Sequence, residues 1–375
     1  MSTLLHSAVA VDARGETLDA WLLLDGDSIV AVGSGGARPE ADLLVDLMGM
    51  WIAPGFIDLH CHGGGGEDFA TGNLSHALAT HRAHGTTRSL VSLVSEPVDV
   101  LADQLAMIAR VATVDPLVLG SHLEGPFLEP SRRGAHAEHV LRRPDPQVIE
   151  TLLAAAAGTM RQVTIAPELP GALAAIEQFV AAGVVVAVGH TAADAEMTRA
   201  AFDAGATLLT HAFNAMPGIH HRQPGPVVAA FEDRRVTLEL VLDGRHVDSS
   251  VAAMAFALAP GRVAIVTDAM AAAGAQDGSY RLGSLDVLVR GGVATVAGID
   301  TIAGSTLTLD AALRMAFVAV RLPRPTAVAS FTAIPARVLG LSDRFGLLEP
   351  GYAADVVAFG DTGVKHVWAA GALLS

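Results

Sequence analysis

Residues 56–62 read FIDLHCH, a short apolar run that ends in two histidines one residue apart. The run predicts a β-strand, on which His60 and His62 point to the same side because successive side chains alternate between faces. Cys61 then points to the opposite side, where we expect a buried thiol rather than a metal ligand. Two imidazoles on one side of a strand can share a metal ion, so this stretch contains the first candidate site.

Further strands follow FIDLHCH, and Ala-rich segments with helical spacing lie between most of them. The seven candidates are TTRSLVS (86–92), LVLGSHLEG (117–125), QVTIAPE (162–168), VVVAVGH (184–190), TLLTH (207–211), VTLELVLD (236–243) and VAIVTD (263–268). Eight strands that alternate with helices predict a (β/α)8 TIM barrel rather than an open doubly wound sheet. A Gly-rich stretch does follow the first strand, but it lacks the strand–GxGxxG–helix context of a nucleotide-binding fingerprint.

The two ends of the chain read differently from its middle. Residues 1–53 and 341–375 show short alternating strands broken by Gly turns. Neither end is long enough to fold alone, so we predict that they pair into one small β-sandwich domain. The TIM barrel is predicted to occupy residues 54–340.

Bulk properties exclude several classes of function. The net charge is −15 over 375 residues and no Lys/Arg run stands out, which argues against a nucleic-acid partner. No uncharged apolar run of 18 residues predicts a membrane span, and the first residues lack the pattern of a secretory signal. Because Cys61 is the single cysteine, no intrachain disulfide can form. We therefore expect a cytoplasmic protein.

Most candidate strands end in a side chain that can bind metal or move a proton. In a TIM barrel the carboxyl ends of the strands meet at one mouth, where active sites are built. We therefore predict that one metal site is formed by His60, His62, Glu124, His190, His211 and Asp268. A further strand-end carboxylate, Glu168, is not assigned to it. For each histidine alone, the alternative is a hydrogen-bonded core residue or a helix cap.

The ligand types restrict the metal but not the number of ions. Imidazole and carboxylate together favour zinc, with Fe, Mn, Co or Ni as alternatives, over Mg or Ca. Six ligands exceed what one catalytic zinc takes from a protein. Either two ions share Glu124, or one ion uses a subset of the six. Asp268 has two compatible interpretations: a plain ligand, or a base that takes a proton from water and passes it to a leaving group.

Several longer motifs carry a family resemblance from end to end of the chain. In order, these are PGFIDLHCHGGGG, HLEGPF, VGHT, THAFNAMPG, LDGRHVD, VTDAMAAAG, TIAGSTLTLD and GLLEPGYAADVVAF. The chain resembles the N-acetylglucosamine-6-phosphate deacetylases of the amidohydrolase superfamily. PGFIDLHCH alone is typical of the whole superfamily, whereas HLEGPF with THAFNAMPG and DGRHVD is much more specific. The resemblance implies a metal-dependent homodimer that removes acetate from N-acetylglucosamine 6-phosphate, in amino sugar catabolism or cell-wall recycling.

The same resemblance implies roles for individual residues. Glu124, His190 and His211 match the family's metal ligands, and His60 and His62 extend the set. The matching substrate contacts are His136, Asn214, Ala215 and His246, together with Arg222, which would reach the phosphate in the neighbouring subunit's active site. Asp268 would accept the proton of the attacking water and then protonate the departing amine. The metal, with His136 or its neighbour, would stabilise the oxyanion.

Some interpretations stay open at this stage. Arg222 can also be a solvated loop residue, and Arg132, Arg133 and Arg245 have no assigned role. Another amidohydrolase, acting on a cyclic amide or on a different N-acetylated sugar phosphate, is the nearest alternative. Lys365, the only lysine, lies outside the predicted barrel and excludes a carbamylated-lysine site. A non-catalytic scaffold is the alternative from another class, although this chain keeps all six candidate ligands.

Overall fold

The computed structural model describes residues 1–361 and 363–375, which divide into two compact units. The first unit comprises Met1–Asp58, Ala79–Arg88 and Thr308–Ser375, and the second comprises Leu59–Leu78 and Ser89–Leu307. The domain boundaries at 53/54 and 340/341 stay a prediction. Among the described residues, no helix is long and apolar enough to cross a membrane.

The chain forms 21 strands and ten α-helices in the described residues. The strands are β1 (Ser2–Asp12), β2 (Gly15–Asp25), β3 (Ser28–Ser34), β4 (Leu43–Asp46), β5 (Trp51–Pro54), β6 (Phe56–Asp58), β7 (Gly63–Gly64), β8 (Glu67–Asp68), β9 (Thr86–Leu93), β10 (Val118–Glu124), β11 (Met160–Ile165), β12 (Val185–Val188), β13 (Leu208–Leu209), β14 (Thr237–Val241), β15 (Val263–Val266), β16 (Gly278–Leu282), β17 (Leu285–Arg290), β18 (Val293–Val296), β19 (Val356–Gly360), β20 (Gly363–Ala369) and β21 (Ala372–Leu373). The helices are α1 (Leu74–Ala83), α2 (Val98–Val114), α3 (Pro146–Ala156), α4 (Ala172–Ala181), α5 (Ala195–Asp203), α6 (Gly225–Glu232), α7 (Ser249–Leu258), α8 (Leu309–Val318), α9 (Arg324–Phe331) and α10 (Ala333–Val338).

Eight strands form the predicted parallel barrel. Their order is β6-β9-β10-β11-β12-β13-β14-β15, so every predicted barrel strand is present and each lies beside its neighbour in sequence. The amide of Asp268 donates to the carbonyl of His60 at 2.8 Å, and Cys61 forms a parallel bridge with Ala269. The segments that follow β6 and β15 therefore meet, which nearly closes the barrel and confirms the TIM-barrel prediction.

Seven of the eight barrel strands end earlier than the sequence predicted. The first, β6, ends at Asp58, so His60 and His62 follow that strand instead of lying on it. β12, β13 and β15 each end two residues before His190, His211 and Asp268, respectively. These three residues have φ angles of 46°, 25° and 47°, which is left-handed backbone that residues other than glycine rarely adopt. A strand cannot continue through such a residue, and strained backbone of this kind often marks functional sites. The predicted strands were therefore right in order but too long at their carboxyl ends.

The helices of the barrel unit bury one face, and some of them begin at an acidic cap. In α2, Leu101, Leu105 and Ile108 are buried at the spacing of one helix face. Asp145 and Asp194 accept backbone N–H donors at the starts of α3 and α5. Such caps satisfy amide groups that have no partner within the helix.

A three-stranded antiparallel sheet, β16-β17-β18, follows β15 and was not predicted. Its buried side chains, which include Leu282, Val287 and Val289, form a core with Met270 and Ala303. The first connection is a tight turn in which Gly283 has φ 53°. The alternation in LDVLVR was the signal that the sequence offered for this sheet.

The terminal segments form one eight-stranded sheet, as the fold-class prediction required. Seven strands follow the order β21-β20-β19-β5-β1-β2-β3, and β4 pairs with β1. The N-terminal and C-terminal segments meet where β5 pairs antiparallel with β19. Leu5, Leu22, Ile52, Val356 and Trp368 are buried together there, so residues distant in sequence share one core.

A buried ion pair within this unit yields a stability prediction. Arg88 Nε and Nη2 donate to the two carboxylate oxygens of Asp355 at 2.6 and 3.0 Å, and both side chains are almost fully buried. We expect Asp355→Ala to lower the free energy of unfolding by about 3–5 kcal/mol, because it leaves a buried guanidinium without its carboxylate. Asp203→Ala, which removes an exposed partner of Arg235, should cost less than about 1 kcal/mol. Urea unfolding of both variants checks this, and equal effects would refute it.

Candidate active site

The carboxylate of Glu124, at the end of β10, lies at the centre of a cluster of imidazoles. Its Oε1 lies 3.1 Å from His190 Nε2 and 3.2 Å from His211 Nε2. Its Oε2 lies 3.2 Å from His62 Nε2 and 3.5 Å from His136 Nε2. Glu124 is 3% exposed. Oε1 also lies 3.5 Å from His60 Nε2, so both oxygens face imidazole nitrogens in an almost fully buried site.

His60 and His62 form the second half of the cluster with Asp268. Their Nε2 atoms lie 3.0 Å apart, which confirms that both rings face the same side. Asp268 Oδ1 lies 3.5 Å from each of these nitrogens. Asp268, which has left-handed backbone, lines the cavity and is slightly more exposed than the histidines. The structure thus brings all six predicted ligands together.

The donor atoms fit a divalent metal. The Nε2 atoms of His190 and His211 also lie 3.0 Å apart, so the cluster contains two close pairs of imidazole nitrogens. One proton at most can lie between the nitrogens of each pair, and two bare lone pairs repel. A cation among the nitrogens and carboxylates removes that repulsion, and imidazole with carboxylate suits transition metals. Three of these donors, His60, His62 and Glu124, converge within ligand reach of one another.

Opposite charges within the cluster offset the effect of burial on the pKa values of Glu124 and His60. Burial raises the pKa of Glu124, but His60 and the histidines that hydrogen-bond to it hold that pKa well below its usual range. Burial lowers the pKa of His60, yet Glu124 and Asp268 hold it well above the usual value. The site therefore retains carboxylate charge although it is almost fully buried, as a cation site requires.

His136 lies beside the cluster with a defined tautomer. The backbone N–H of Ser95 donates to its Nδ1 at 3.2 Å, so the proton of the neutral ring is on Nε2. Burial lowers the pKa of His136 to about 4, which leaves the ring neutral near pH 7. Its Nε2–H is therefore available as a hydrogen-bond donor toward Glu124 and the cavity.

A cavity of about 360 Å³ opens in front of the cluster, a volume that suits a small molecule. It contains the predicted substrate residues His136, Asn214, Ala215 and His246 in its wall. His246 Nδ1 lies 2.7 Å from Asp243 Oδ2. Burial lowers the pKa of His246, but Asp243 raises it above its usual value overall. The Asp243 carboxylate therefore favours the cationic form of a ring in the cavity wall, which suits an anionic ligand.

The arginines with open roles are placed differently. Arg132 lines the cavity, and its carbonyl oxygen lies 2.9 Å from His190 Nδ1. Arg133 instead pairs with Glu138 at 3.5 Å, outside the cavity wall. Arg222 is exposed on the loop between β13 and α6, and neither it nor Arg245 lines this cavity. Within one protomer, the structure does not bring Arg222 to the cluster.

Sequence reasoning missed several polar residues behind the cluster. Glu239 and Gln162 lie inside β14 and β11 and are fully buried, and Glu239 Oε2 lies 3.3 Å from His60 Nδ1. Glu168, a strand-end carboxylate, lies outside the cluster and accepts from Thr191 Oγ1 and the amide of Ala192. A polar residue within an apolar strand was the signal available for Glu239 and Gln162.

The chain belongs to the amidohydrolase family, whose model matches residues 51–374. Among solved structures, the N-acetyl-D-glucosamine-6-phosphate deacetylase of Mycobacterium smegmatis is 44% identical, with a TM-score of 0.94 and full coverage of both chains. An aspartate-to-alanine variant of that enzyme, in complex with N-acetyl-D-glucosamine-6-phosphate, has a TM-score of 0.95 and the same identity, over 100% of this chain and 99% of that chain. The N-acetylgalactosamine-6-phosphate deacetylase of Escherichia coli O157:H7 is 40% identical over 86% of this chain and 88% of its own. The N-acetylglucosamine-6-phosphate deacetylase of Bos taurus is 36% identical over 87% and 83%, respectively.

Proposed function

We propose that this chain hydrolyses the acetamide of N-acetylglucosamine 6-phosphate, giving glucosamine 6-phosphate and acetate. The observation that carries the proposal is the six-residue cluster around Glu124, which opens on a cavity beside the neutral His136. The near-full-length relatives that act on this substrate support the choice of sugar phosphate.

In this proposal His60, His62, Glu124, His190, His211 and Asp268 hold one or two divalent ions, with zinc as the first expectation and Fe, Mn, Co or Ni as alternatives. The chemistry that such an ion supplies is Lewis-acid activation of water and of the amide carbonyl. Glu124 faces both groups of histidines, which is the placement that a shared ligand of two ions needs.

Two side chains of this protein then move or hold protons. Asp268 takes a proton from the attacking water, because its carboxylate lies at the mouth of the cluster. His136 donates its Nε2–H to the carbonyl oxygen as negative charge develops there. Asp268 returns the proton to the departing nitrogen, so that the amine leaves as a neutral group.

The substrate's phosphate needs a cation in an acidic protein. Among the described residues that line the cavity, Arg132 carries the one guanidinium, and Asn214, Ala215 and His246 lie in the same wall. We propose that Arg222, from the second subunit of a homodimer, adds a further guanidinium, which binds phosphate with two hydrogen bonds. Its exposure in one protomer supports a role outside its own subunit.

Mixing two impaired variants, assayed at substrate concentrations well below KM, tests the role of Arg222 in the neighbouring site. Arg222→Ala should raise KM and therefore have little activity under these conditions, and Asp268→Asn should be inactive. A heterodimer of the two has one site with both Asp268 and the partner's Arg222 intact. Co-refolding the two variants should therefore recover about a quarter of the wild-type activity, as random pairing in a twofold-symmetric dimer requires. Activity no higher than the sum of the separate variants would contradict the shared site.

A substrate panel tests the proposed reaction. Acetate release is measured with N-acetylglucosamine 6-phosphate, its galactosamine epimer and unphosphorylated N-acetylglucosamine, and ring opening is measured with dihydroorotate. We expect the first to give the highest kcat/KM and the unphosphorylated sugar a much lower one. Because the Escherichia coli O157:H7 relative is a deacetylase of the galactosamine epimer, preference for that epimer would identify the second candidate function. Turnover of dihydroorotate alone would overturn both.

We also propose that the protein works in the cytoplasm. The support is its single cysteine, Cys61, which is buried and forms no disulfide.

A further inference from the structure

Glu239 is a fully buried carboxylate directly behind the metal cluster. It lies within β14, with 0% of its surface exposed. Its Oε1 accepts from Gln162 Nε2 at 2.8 Å. Its Oε2 lies 3.3 Å from His60 Nδ1 and 3.4 Å from the amide nitrogen of His211. Among the described residues, no arginine or lysine pairs with Glu239, so an isolated charge would be costly here.

His60 differs from the other three cluster histidines in what lies behind it. His190 Nδ1 faces the backbone carbonyl of Arg132. The Nδ1 atoms of His62 and His211 are buried and have no hydrogen-bond partner among the described residues. Among these four, and within the described residues, only His60 has a carboxylate oxygen within ion-pair distance of its Nδ1. An acceptor at Nδ1 fixes the proton there and leaves Nε2 free to bind a metal, and a carboxylate also makes the ring a stronger donor.

We propose that Glu239 is a positioning residue that holds His60 as a metal ligand and thereby sets the metal affinity of the His60–His62 half of the cluster. The proposal rests on the metal site of the proposed function but not on the identity of the substrate. The His60 ring lies between Glu239 on one side and Glu124 with Asp268 on the other. A divalent ion bound to His60 Nε2 would offset the negative charge of these three carboxylates.

The test measures metal binding in the absence of substrate. Glu239→Gln keeps the shape of the side chain and an oxygen for Gln162 but removes the charge. We expect its zinc affinity on the His60 side to fall by about 10–100-fold, as found when a carboxylate partner of a metal-bound histidine is removed. Competition with a coloured chelator gives the affinity, and the visible spectrum of the cobalt-loaded protein reports the ligand geometry.

Gln162→Met is the matched control, because it removes the other partner of the same carboxylate without touching His60. It should lower the melting temperature of the metal-free protein while leaving zinc affinity within about threefold of wild type, since the carboxylate behind His60 stays in place. A purely structural role for Glu239 predicts the same behaviour for both variants: loss of stability without loss of affinity.

Two outcomes overturn the proposal. The first is a folded Glu239→Gln protein that binds zinc with wild-type stoichiometry and affinity. This outcome includes the case in which both proteins bind a single ion at His190 and His211, without His60. If Glu239→Gln does not fold, Glu239→Asp is measured instead, because it retains the charge but moves it away from His60 Nδ1. Wild-type zinc affinity in Glu239→Asp is the second outcome that overturns the proposal. Zinc binding that depends on Glu239 in a protein that releases no acetate would refute the proposed function alone.

Discussion

Replacing Asp268 by asparagine is expected to lower kcat by about 10³-fold, within the range that general acid–base catalysis contributes. The asparagine keeps the size of the side chain and an oxygen near His60 and His62, from which the carboxylate oxygen lies 3.5 Å. It cannot accept a proton from water or return one to the amine. Folding and most metal binding should therefore survive while turnover does not.

Three measurements on the purified variant decide this prediction: kcat for acetate release, metal content, and the circular dichroism spectrum. Asp248→Asn is the control, because Asp248 caps α7 at the surface and asparagine caps helices equally well. That control should retain wild-type kcat. If Asp268→Asn turned over substrate at a rate near wild type, Asp268 would be a ligand and not the proton carrier.

Replacing Glu124 by glutamine should remove both metal and activity. Glu124 contacts the histidines of both halves of the cluster, so one substitution weakens both halves. The variant also loses the buried negative charge that opposes the charge of the cation. We expect metal content to fall to a minor fraction of wild type and kcat to fall at least about 10³-fold, because a bound metal contributes several kcal/mol of transition-state stabilisation.

Glu168→Gln separates this effect from the loss of any carboxylate at a strand end. Glu168 contacts Thr191 and Ala192 rather than the cluster. Elemental analysis of Glu168→Gln should therefore give the same metal content as wild type. Equal metal loss in the two variants would show that Glu124 has no special place in the site.

The fold and the central residues of the site could be predicted because their signals are local. An apolar run followed by His190 or Asp268 can be recognised in the sequence, and barrel geometry then brings the carboxyl ends of such strands together. What the sequence could not show is the left-handed backbone of these residues, which ends each strand two residues early. Backbone angles depend on the closed barrel and not on the residues alone.

The residues behind the cluster could not be predicted for a different reason. Glu239 and Gln162 lie in the middle of strands, where a polar residue ordinarily faces solvent. In a barrel the same position points into a packed interior, and its partner is found only through the register of separate strands. Their pairing across 77 residues is a property of the assembled sheet. The β16-β18 sheet was missed because it interrupts the strand–helix rhythm from which the barrel was predicted.

Removal and return of metal is the most direct test of a metal-dependent deacetylase. The protein is treated with a chelator, dialysed, and assayed for acetate release from N-acetylglucosamine 6-phosphate before and after addition of zinc, iron, manganese, cobalt or nickel. We expect the metal-free protein to be folded and inactive, and at least one ion to restore release of acetate and glucosamine 6-phosphate in equal amounts. Full activity in protein shown by elemental analysis to contain no metal would contradict the central claim.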